Sequence, residues 1–374
     1  MEFYAQTSDL SQELDLVQHV VERRFTIPVL SNVLLEFDKL ELRLSATDLA
    51  LGARCACPAR AKAPGAVAVP ARRLLDIVRS LPDAEARFKV VENDRLEVKC
   101  DRSVFKLVGM AKEKFPVLPE MPKPQARIAV GVLRALVERT IFAVSCDESH
   151  LSLTGALLVV KPERAVIAAT DGHRLALAEH RGEVPGVSGD LRMLVPHQAM
   201  TELQRLLAAS AQEAEVRIAG DDRHLFFAVG RRLLISRVLT GEFPNYEAVL
   251  PKENTKVVEL DAELARAAVR RVALLADERS GAISVELGQN RVEFGCSGGQ
   301  HGEARESLDA RNGEALKIGF NYHYLLDFFG AAGKAGTVRL ELKDGQSAAE
   351  LRLSEDDSYG FRYVVMPLRV RGGA

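Results

Sequence analysis

ATDGHRLAL, residues 169–177, has an echo in ATDLALGAR, residues 46–54, and each phrase lies between two runs of β-prone residues. In the later copy, Asp171-Gly172 between AVIAAT and RLALAEH predicts a hairpin turn, because glycine tolerates the positive φ that such turns require. The offset of roughly 120 residues is too long for a solenoid, whose repeats span about 20 to 50 residues. The echo therefore predicts repeated domains.

A second phrase and two types of helix repeat with a similar offset. KFPVLPEMP at 114–122 resembles EFPNYEAVLP at 242–251, and each reads as a connector that closes one unit. The helices that open the units are SDLSQELDLVQHVVER from Ser8, VGVLRALVERTIFAVS from Val130 and DAELARAAVRRVALLAD from Asp261. The mid-unit helices are PARRLLDIVRSLP from Pro70, PHQAMTELQRLLAAS from Pro196 and NYHYLLDFFGAAG from Asn321.

The spacing within these segments predicts how they pack. Leu10, Leu14, Val17 and Val21 recur at helical intervals and predict one buried face. The prolines that begin the first two mid-unit helices suit position N1, where a missing N–H costs nothing. RLEVKC at 95–100 and RVEFGC at 291–296 alternate as half-buried antiparallel strands do. We therefore predict an α+β fold with three domains at 1–123, 124–253 and 254–374, each with two helices and antiparallel sheets.

Composition limits the classes of protein. The 374 residues are 47% hydrophobic and 27% charged, with a net charge of −2, so bulk charge neither favours nor excludes nucleic acid. No secretory segment or run of about 18 apolar residues is present, which predicts a cytoplasmic protein without a membrane partner. The odd cysteine count without a CxxC pair argues against a disulfide framework or a zinc site. Cys55 and Cys57, two apart on a predicted strand, are expected to pack on one face.

Arginine recurs on the equivalent helices of the three units. In the first mid-unit helix, Arg72, Asp76 and Arg79 face away from the apolar residues, with Arg73 beside them. The other units contribute a second set: Arg134, Arg139, Arg205, Glu263, Arg266, Arg270, Arg271 and Asp277. A charge run is ordinarily a solvated helix face. Its recurrence in three repeats favours a basic surface that binds phosphates without reading bases.

Asp171, His173 and Arg174 leave an enzyme hypothesis open, because a carboxylate can orient an imidazole for proton transfer. The sequence offers no nucleophile elbow, P-loop or metal-ligand spacing to support it. A peptide-binding scaffold that does not bind DNA is a second alternative.

The order of several long motifs makes the chain similar to one family. RRFTIPVLSNVLLE around Arg24, ATDL at 46, VPARRLLDIVRSLP at 69, ATDGHRLA at 169, EFPNYEAVLP at 242, IGFNYHYLLD at 318 and YVVMPLRV at 363 resemble the beta subunit of bacterial DNA polymerase III, the sliding clamp. The resemblance implies a DNA clamp fold, a head-to-tail homodimer that forms a ring around duplex DNA, and a processivity factor without catalytic activity, cofactor or metal. It also implies as partners the polymerase alpha subunit, a clamp loader, and other polymerases and repair proteins that bind through short peptide motifs.

The resemblance assigns residues to three surfaces. The peptide pocket would comprise Leu153, Thr170, Gly172, His173, Arg174, Leu175, Pro244, Val249, Val364, Met366, Pro367, Leu368, Arg369 and Val370. The DNA-facing residues would be Arg24, Arg72, Arg73 and Arg205. The dimer contact would use Phe105, Leu107, Leu274 and Leu275, which are equally compatible with ordinary core positions. His173 has the alternative of a turn residue that contacts no peptide.

Three departures from the family pattern affect the detailed DNA contacts. His197-Gln198 and Glu247-Ala248 stand where basic residues are expected, and Leu151-Ser152 replace an aromatic pair. The terminal Arg371-Gly-Gly-Ala extends past the usual end, so it either covers the pocket or frays.

Overall fold

The computed structural model describes residues 1–21, 27–38, 41–187, 189–297, 302–310, 314–333, 336–353 and 359–369. Within these ranges the six α-helices are α1 (Thr7–Gln18), α2 (Ala71–Ser80), α3 (Val130–Glu138), α4 (His197–Ala208), α5 (Ala262–Ala273) and α6 (Tyr322–Ala332). They match in order the six helices predicted from the sequence.

The strands of the first half of the chain are β1 (Glu2–Gln6), β2 (Asn32–Asp38), β3 (Glu41–Thr47), β4 (Leu51–Pro58), β5 (Arg60–Ala63), β6 (Gly65–Pro70), β7 (Glu85–Val91), β8 (Arg95–Cys100), β9 (Ser103–Val108), β10 (Ala126–Ala129), β11 (Gly155–Lys161), β12 (Arg164–Thr170) and β13 (Arg174–Arg181). The remaining strands are β14 (Leu191–Pro196), β15 (Glu215–Gly220), β16 (His224–Val229), β17 (Arg232–Arg237), β18 (Lys256–Asp261), β19 (Ala282–Gly288), β20 (Arg291–Ser297), β21 (Glu303–Asp309), β22 (Leu316–Asn321), β23 (Thr337–Leu342), β24 (Ala349–Leu353) and β25 (Tyr359–Val365).

The chain divides into two compact units. Unit 1 comprises Met1–Arg134 with Gln198–Val238, and unit 2 comprises Ala135–His197 with Leu239–Ala374. Unit 1 contains a sheet of order β5-β1-β7-β8-β9 and an eight-stranded sheet of order β10-β15-β16-β17-β4-β3-β2-β6. In the eight-stranded sheet, β17 pairs with β4, so strands far apart in the chain share one ladder.

Unit 2 is built in the same way. Its eight-stranded sheet has the order β14-β11-β12-β13-β25-β24-β23-β18, and its four-stranded sheet has the order β21-β20-β19-β22. In unit 2, β13 pairs with β25 as β4 pairs with β17 in unit 1. All of the pairings between the described strands of both units are antiparallel, as the alternating sequence pattern predicts.

The cores follow the predicted faces with one correction. Leu10, Leu14 and Val17 are buried on α1, but Val20 rather than Val21 completes the face, because α1 ends at Gln18 and the chain turns there. On β4, Cys55 and Cys57 are both buried, as predicted for residues two apart on one face of a strand. On α2, Leu74 and its apolar neighbours are buried, while the arginines are exposed.

Two predictions about helix ends are wrong. Pro70 is the N-cap of α2, not N1, and Pro196 ends β14 immediately before α4. The helix predicted from Val130 stops at Glu138, and a short 3-10 turn at Ile141–Ala143 follows it. Arg139 is therefore not on a helical face, and its guanidinium instead stacks 4.9 Å above the ring of Tyr359.

Candidate functional site

The hairpin that joins β12 to β13 is held by the side chains of its own turn. Thr170 Oγ1 donates a 2.6 Å hydrogen bond to the carbonyl oxygen of Arg174 and accepts one of 3.1 Å from Gly172 N–H. Asp171 Oδ1 accepts the backbone N–H groups of His173 and Arg174 at 3.0 and 3.1 Å. Gly172 has φ +90°, so the predicted hairpin and the reason for its glycine are both confirmed.

These bonds give Asp171 a structural role. Its Oδ1 accepts two backbone N–H groups and its Oδ2 accepts Arg174 Nε at 2.9 Å. The carboxylate thus shapes the turn and orients the arginine, rather than preparing the His173 imidazole for proton transfer.

Arg174 links three segments of unit 2. Besides Asp171, its guanidinium donates to Asp327 Oδ2 at 2.6 Å and to the Phe142 carbonyl oxygen at 2.7 Å, and it lies 4.4 Å from the ring centroid of Tyr324. Burial disfavours the charged form, but Tyr363 and the carboxylates outweigh it, so the pKa of Arg174 lies above its ordinary value. Arg174 is a permanent cation that fixes the hairpin to α6 and to the segment after α3.

Tyr363 on β25 lies beside this cation on the side of the core. Its side chain is fully buried and stacks on Phe328, with the ring centroids 5.4 Å apart. Burial raises the pKa of Tyr363, so its hydroxyl stays protonated beside the guanidinium.

The segment after β25 lies across the hairpin as a strap, residues 366–368. Met366 N–H donates to the His173 carbonyl oxygen at 2.9 Å, and Leu368 N–H donates to the Gly319 carbonyl oxygen at 2.8 Å. The two bonds anchor the strap to the turn before β13 on one side and to β22 on the other. They explain why two motifs about 190 residues apart, ATDGHRLA and YVVMPLRV, belong to one site.

A buried apolar cluster forms the floor beside the strap. It contains Leu157, Val159, Val166, Ala168, Leu175, Leu177, Leu194, Phe243, Tyr246 and Val364. Phe243 and Tyr246 bring the connector at 242–251 down onto the sheet. Leu175 and Val364, which the family resemblance assigned to the pocket, are 3% and 1% exposed, so they support the floor from below.

Apolar side chains that remain accessible surround this floor. Val249 is 43% exposed and Met366 is 42% exposed, and Pro244 is also exposed. Leu153, Pro367 and Leu368 are half-buried. This combination of a rigid apolar floor, accessible apolar walls and a flexible methionine suits an apolar peptide anchor.

The other predicted pocket residues divide by exposure. Gly172, His173 and Arg369 are exposed at the rim, and Thr170 and Arg174 are partly buried by the turn and its bonds. Val370 and the terminal residues 371–374 lie outside the described residues. Sequence reasoning missed Phe142, Tyr324, Asp327 and Tyr363 as partners of Arg174, because no local spacing reveals a contact made through the fold.

Three of the four predicted DNA-facing residues lie in the described part of unit 1. Arg72 and Arg73 are exposed on α2, whereas Arg205 on α4 is ion-paired with Glu202. Arg24 lies outside the described residues.

The predicted dimer residues lie on an edge strand of unit 1 and just after a helix of unit 2. Phe105 and Leu107 are half-buried on β9, an edge strand of the five-stranded sheet in unit 1. Leu274 is 81% exposed just after α5 in unit 2, and Leu275 is half-buried beside it.

Two further findings concern the described residues only. They contain no group of three or more His, Cys, Asp or Glu side chains placed to hold a metal ion. None of their helices has the length and apolar character needed to cross a membrane.

Three family models match consecutive parts of the chain. The DNA polymerase III beta subunit N-terminal domain matches residues 1–119, the central domain matches 127–245, and the C-terminal domain matches 247–369. The chain belongs to the DNA polymerase III beta subunit family. Its fold is therefore the three-domain clamp fold, and the family's members are non-catalytic sliding clamps, which sets aside the enzyme hypothesis.

Individual members of the clamp family match over their full length. The beta sliding clamp of Pseudomonas aeruginosa is 37% identical across 99% of this chain and 100% of its own. The crystal structure of the DNA polymerase III subunit beta from the same organism matches with a TM-score of 0.92 at 37% identity, over 99% of this chain and 100% of that one. A P. aeruginosa DnaN sliding clamp bound to griselimycin matches with a TM-score of 0.93 at 36% identity and the same coverage.

Proposed function

We propose that the chain works as a bacterial cytoplasmic sliding clamp whose three domains span 1–123, 124–253 and 254–374. Two copies associate head to tail into a ring around duplex DNA, and the ring tethers the replicative polymerase. The observation that carries this proposal is the match of three consecutive clamp domain models along the whole chain. A topological link needs no tight DNA contact, and the tethered enzyme is held at high effective concentration near its template.

The edge strands of the two units support the dimer. β9 ends the five-stranded sheet and β21 ends the four-stranded sheet, and each pairs with one neighbouring strand within the described residues. An open edge pairs readily with another chain. We assign Phe105, Leu107, Leu274 and Leu275 to the apolar part of this contact.

The exposed arginines support a phosphate-binding inner surface. Arg72 and Arg73 project from α2 as predicted, and Arg205 contributes with its charge partly offset by Glu202. We also assign Arg24 to this surface from the resemblance. The sequence-independent attraction of these residues should weaken as salt rises.

The unit 2 pocket would receive short peptide segments of partner proteins. We assign to it Leu153, Thr170, Gly172, His173, Arg174, Leu175, Pro244, Val249, Val364, Met366, Pro367, Leu368, Arg369 and Val370. Its apolar walls suit leucine-like side chains of the peptide. The Arg174 network holds the hairpin and the strap in a fixed position. The partners would be the polymerase III alpha subunit, the clamp loader, and other polymerases and repair proteins.

Retention on circular DNA tests the ring. The protein is loaded onto a nicked circular plasmid by a bacterial clamp loader and ATP, and filtered through a gel column in high salt before and after linearisation. We expect retention on the circle and loss from the linear form. Equal release from both, after loading has been verified at low salt, would contradict the topological mechanism and favour a scaffold that does not encircle DNA.

A peptide titration tests the pocket. Val249→Asp and Met366→Asp each place a charge on the apolar wall, and we expect each to weaken binding of a fluorescent peptide from the C-terminus of the polymerase alpha subunit by at least ten-fold. Leu264→Asp is the matched control, since Leu264 is 58% exposed on α5. Equal effects of the three variants would contradict the assignment.

A further inference from the structure

The turn at the start of β4 repeats the hydrogen bonds of the unit 2 hairpin. Thr47 Oγ1 donates to the Leu51 carbonyl oxygen at 2.6 Å and accepts Leu49 N–H at 2.9 Å. Asp48 Oδ1 accepts the N–H groups of Ala50 and Leu51 at 2.9 and 2.6 Å. Each bond has its counterpart in the turn at Thr170, so the ATDL echo is a structural repeat and not a coincidence of letters.

Strand β17, which pairs with β4, extends the repeat. At the end of β17, Arg237 N–H donates to the Ala50 carbonyl oxygen at 2.8 Å, as Met366 N–H donates to the His173 carbonyl oxygen in unit 2. The connector phrase is present as well, because Leu118 packs with Ala219, Phe226 and Ile235 in a buried cluster. Unit 1 therefore repeats the hairpin, the backbone bond that begins the strap, and the connector of the unit 2 pocket.

Leu49 occupies the position of Gly172 at a cost to the fold. Its φ is +76°, a left-handed conformation that disfavours a branched side chain, and the side chain is 44% exposed. The equivalent turn in unit 2 forms with glycine, so the hydrogen bonds do not require leucine here. An exposed apolar side chain on a strained backbone indicates a contact that forms only when a partner binds.

Other apolar groups lie on the same part of unit 1. Val117, next to Leu118 in the connector, is 96% exposed. Leu118 itself lies against β4 at Gly52, where an added Cβ would come within 2.8 Å of its Cδ2, so the glycine permits this close approach. Leu49 precedes Gly52 by three residues and Val117 adjoins Leu118, so the chain brings both exposed side chains close to this contact.

The outer face of β4 carries charge next to these walls. Arg54, two residues beyond Gly52, holds connector residue Glu120 through hydrogen bonds of 2.8 and 2.9 Å. Beyond this pair opens a cleft of about 350 Å³ that is lined by Glu41, Arg43, Arg54, Cys55, Ala56, Glu120 and Arg231. Arg54 is paired with Glu120, and Arg231 lies 3.3 Å from Glu41, so the excess positive charge of the lining is that of Arg43, which favours an acidic ligand.

We propose that this unit 1 groove, formed by Leu49, Val117, Leu118, Arg43, Arg54 and Arg231, is a second docking site, for a partner's peptide segment that carries apolar side chains followed by acidic ones. Leu49 and Val117 bury the apolar side chains against Leu118. The arginine-lined cleft holds the carboxylates. The site is independent of the unit 2 pocket, although the same turn geometry underlies both.

Peptide stoichiometry tests the proposal. The probe is a fluorescein-labelled octapeptide with two leucines followed by two aspartates, which is titrated onto the full chain and onto Val249→Asp/Met366→Asp, in which the unit 2 pocket is blocked. We expect two peptides per chain on the unaltered protein and one on the blocked variant. One peptide on the unaltered protein and none on the blocked variant would overturn the proposal.

Substitutions in the unit 1 groove locate the peptide binding that remains in the blocked variant. In the blocked variant, Leu49→Gly should weaken binding at least ten-fold with an unchanged or higher Tm, because glycine accepts the left-handed turn. Arg231→Glu should weaken it and reduce its salt dependence, and Leu264→Ala is the exposed-leucine control. Remaining binding that Leu49→Gly does not weaken would overturn the proposal. If Val249→Asp/Met366→Asp binds as many peptides per chain as the unaltered protein, the assignment of the unit 2 pocket is contradicted. The effect of Leu49→Gly on binding still tests the unit 1 groove in that case.

Discussion

Nη1 of Arg174 donates a 2.6 Å hydrogen bond to Oδ2 of Asp327, which lies 153 positions further along the chain. The same guanidinium holds Asp171, which shapes the β12–β13 turn, and the carbonyl oxygen of Phe142 after α3. One side chain thus connects three segments behind the proposed peptide pocket of unit 2. Its role is to hold the hairpin that carries the pocket.

Removal of this cation should destabilise the protein. Arg174→Ala leaves Asp171, 17% exposed, without its cationic partner, and we expect the free energy of unfolding to fall by about 3 kcal/mol. Urea denaturation followed by circular dichroism measures the change. The control is Arg181→Ala, whose side chain is 74% exposed beside Glu179 and whose loss should cost less than about 0.5 kcal/mol. Similar losses in the two variants would show that the Arg174 network contributes little.

The buried thiols of β4 predict a loss of stability in alkali. Burial raises the pKa of Cys57 from 9.0 to about 12, and it raises that of Cys55 as well. Because the folded-state pKa is the higher one, the stabilisation is complete below pH 9 and is lost progressively as pH rises towards 12. The urea midpoint should fall over this range.

Two variants separate this effect from other groups that titrate in alkali. Cys57→Ala should lower the midpoint at pH 8 and show a shallower fall between pH 9 and 11, since the alanine has no thiol to ionise. Cys146→Ser, which changes an exposed thiol, should retain the full slope. Identical slopes in all three proteins would refute the assignment to Cys57.

The sequence predicted the structural elements that depend on local patterns of residues. The hairpin at Asp171-Gly172, the six helices and the strands at 95–100 and 291–296 follow from period and turn chemistry, and the structure confirms them. Helix ends were less predictable, because Glu138 ends α3 although apolar residues continue beyond it. The partners of Arg174 were not predictable from spacing, because they come from α6, β25 and the segment after α3.

Arg139 shows why side-chain roles depend on the fold. Its place in the row of helix arginines predicted a phosphate-binding role, yet the guanidinium lies over the aromatic rings of Tyr359 and Phe361. A planar cation stacks on aromatic faces as readily as it binds phosphate, and only the position of β25 decides between them.

The head-to-tail dimer predicts unequal effects at two exposed leucines. Leu274, which we assign to the dimer contact, is 81% exposed just after α5, whereas Leu264 is 58% exposed on the first turns of α5. Leu274→Asp places a charge in the apolar contact and should shift the protein from dimer to monomer at micromolar concentration. Leu264→Asp should remain dimeric. Sedimentation equilibrium measures both, and a dimeric Leu274→Asp protein would exclude this residue from the interface.

The exposed pair on α2 predicts how DNA attraction depends on salt. Arg72→Glu/Arg73→Glu reverses two charges that we place towards the phosphates, so the affinity for a short fluorescent duplex should fall by about ten-fold or more at low salt. If each arginine neutralises one phosphate, the slope of log affinity against log salt should become shallower by about 2. Lys114→Glu/Lys123→Glu makes the same change in net charge at exposed positions outside α2 and serves as the control. An equal loss in both variants would mean that the attraction follows the overall charge of the protein, and α2 would then have no special place in the DNA-facing surface.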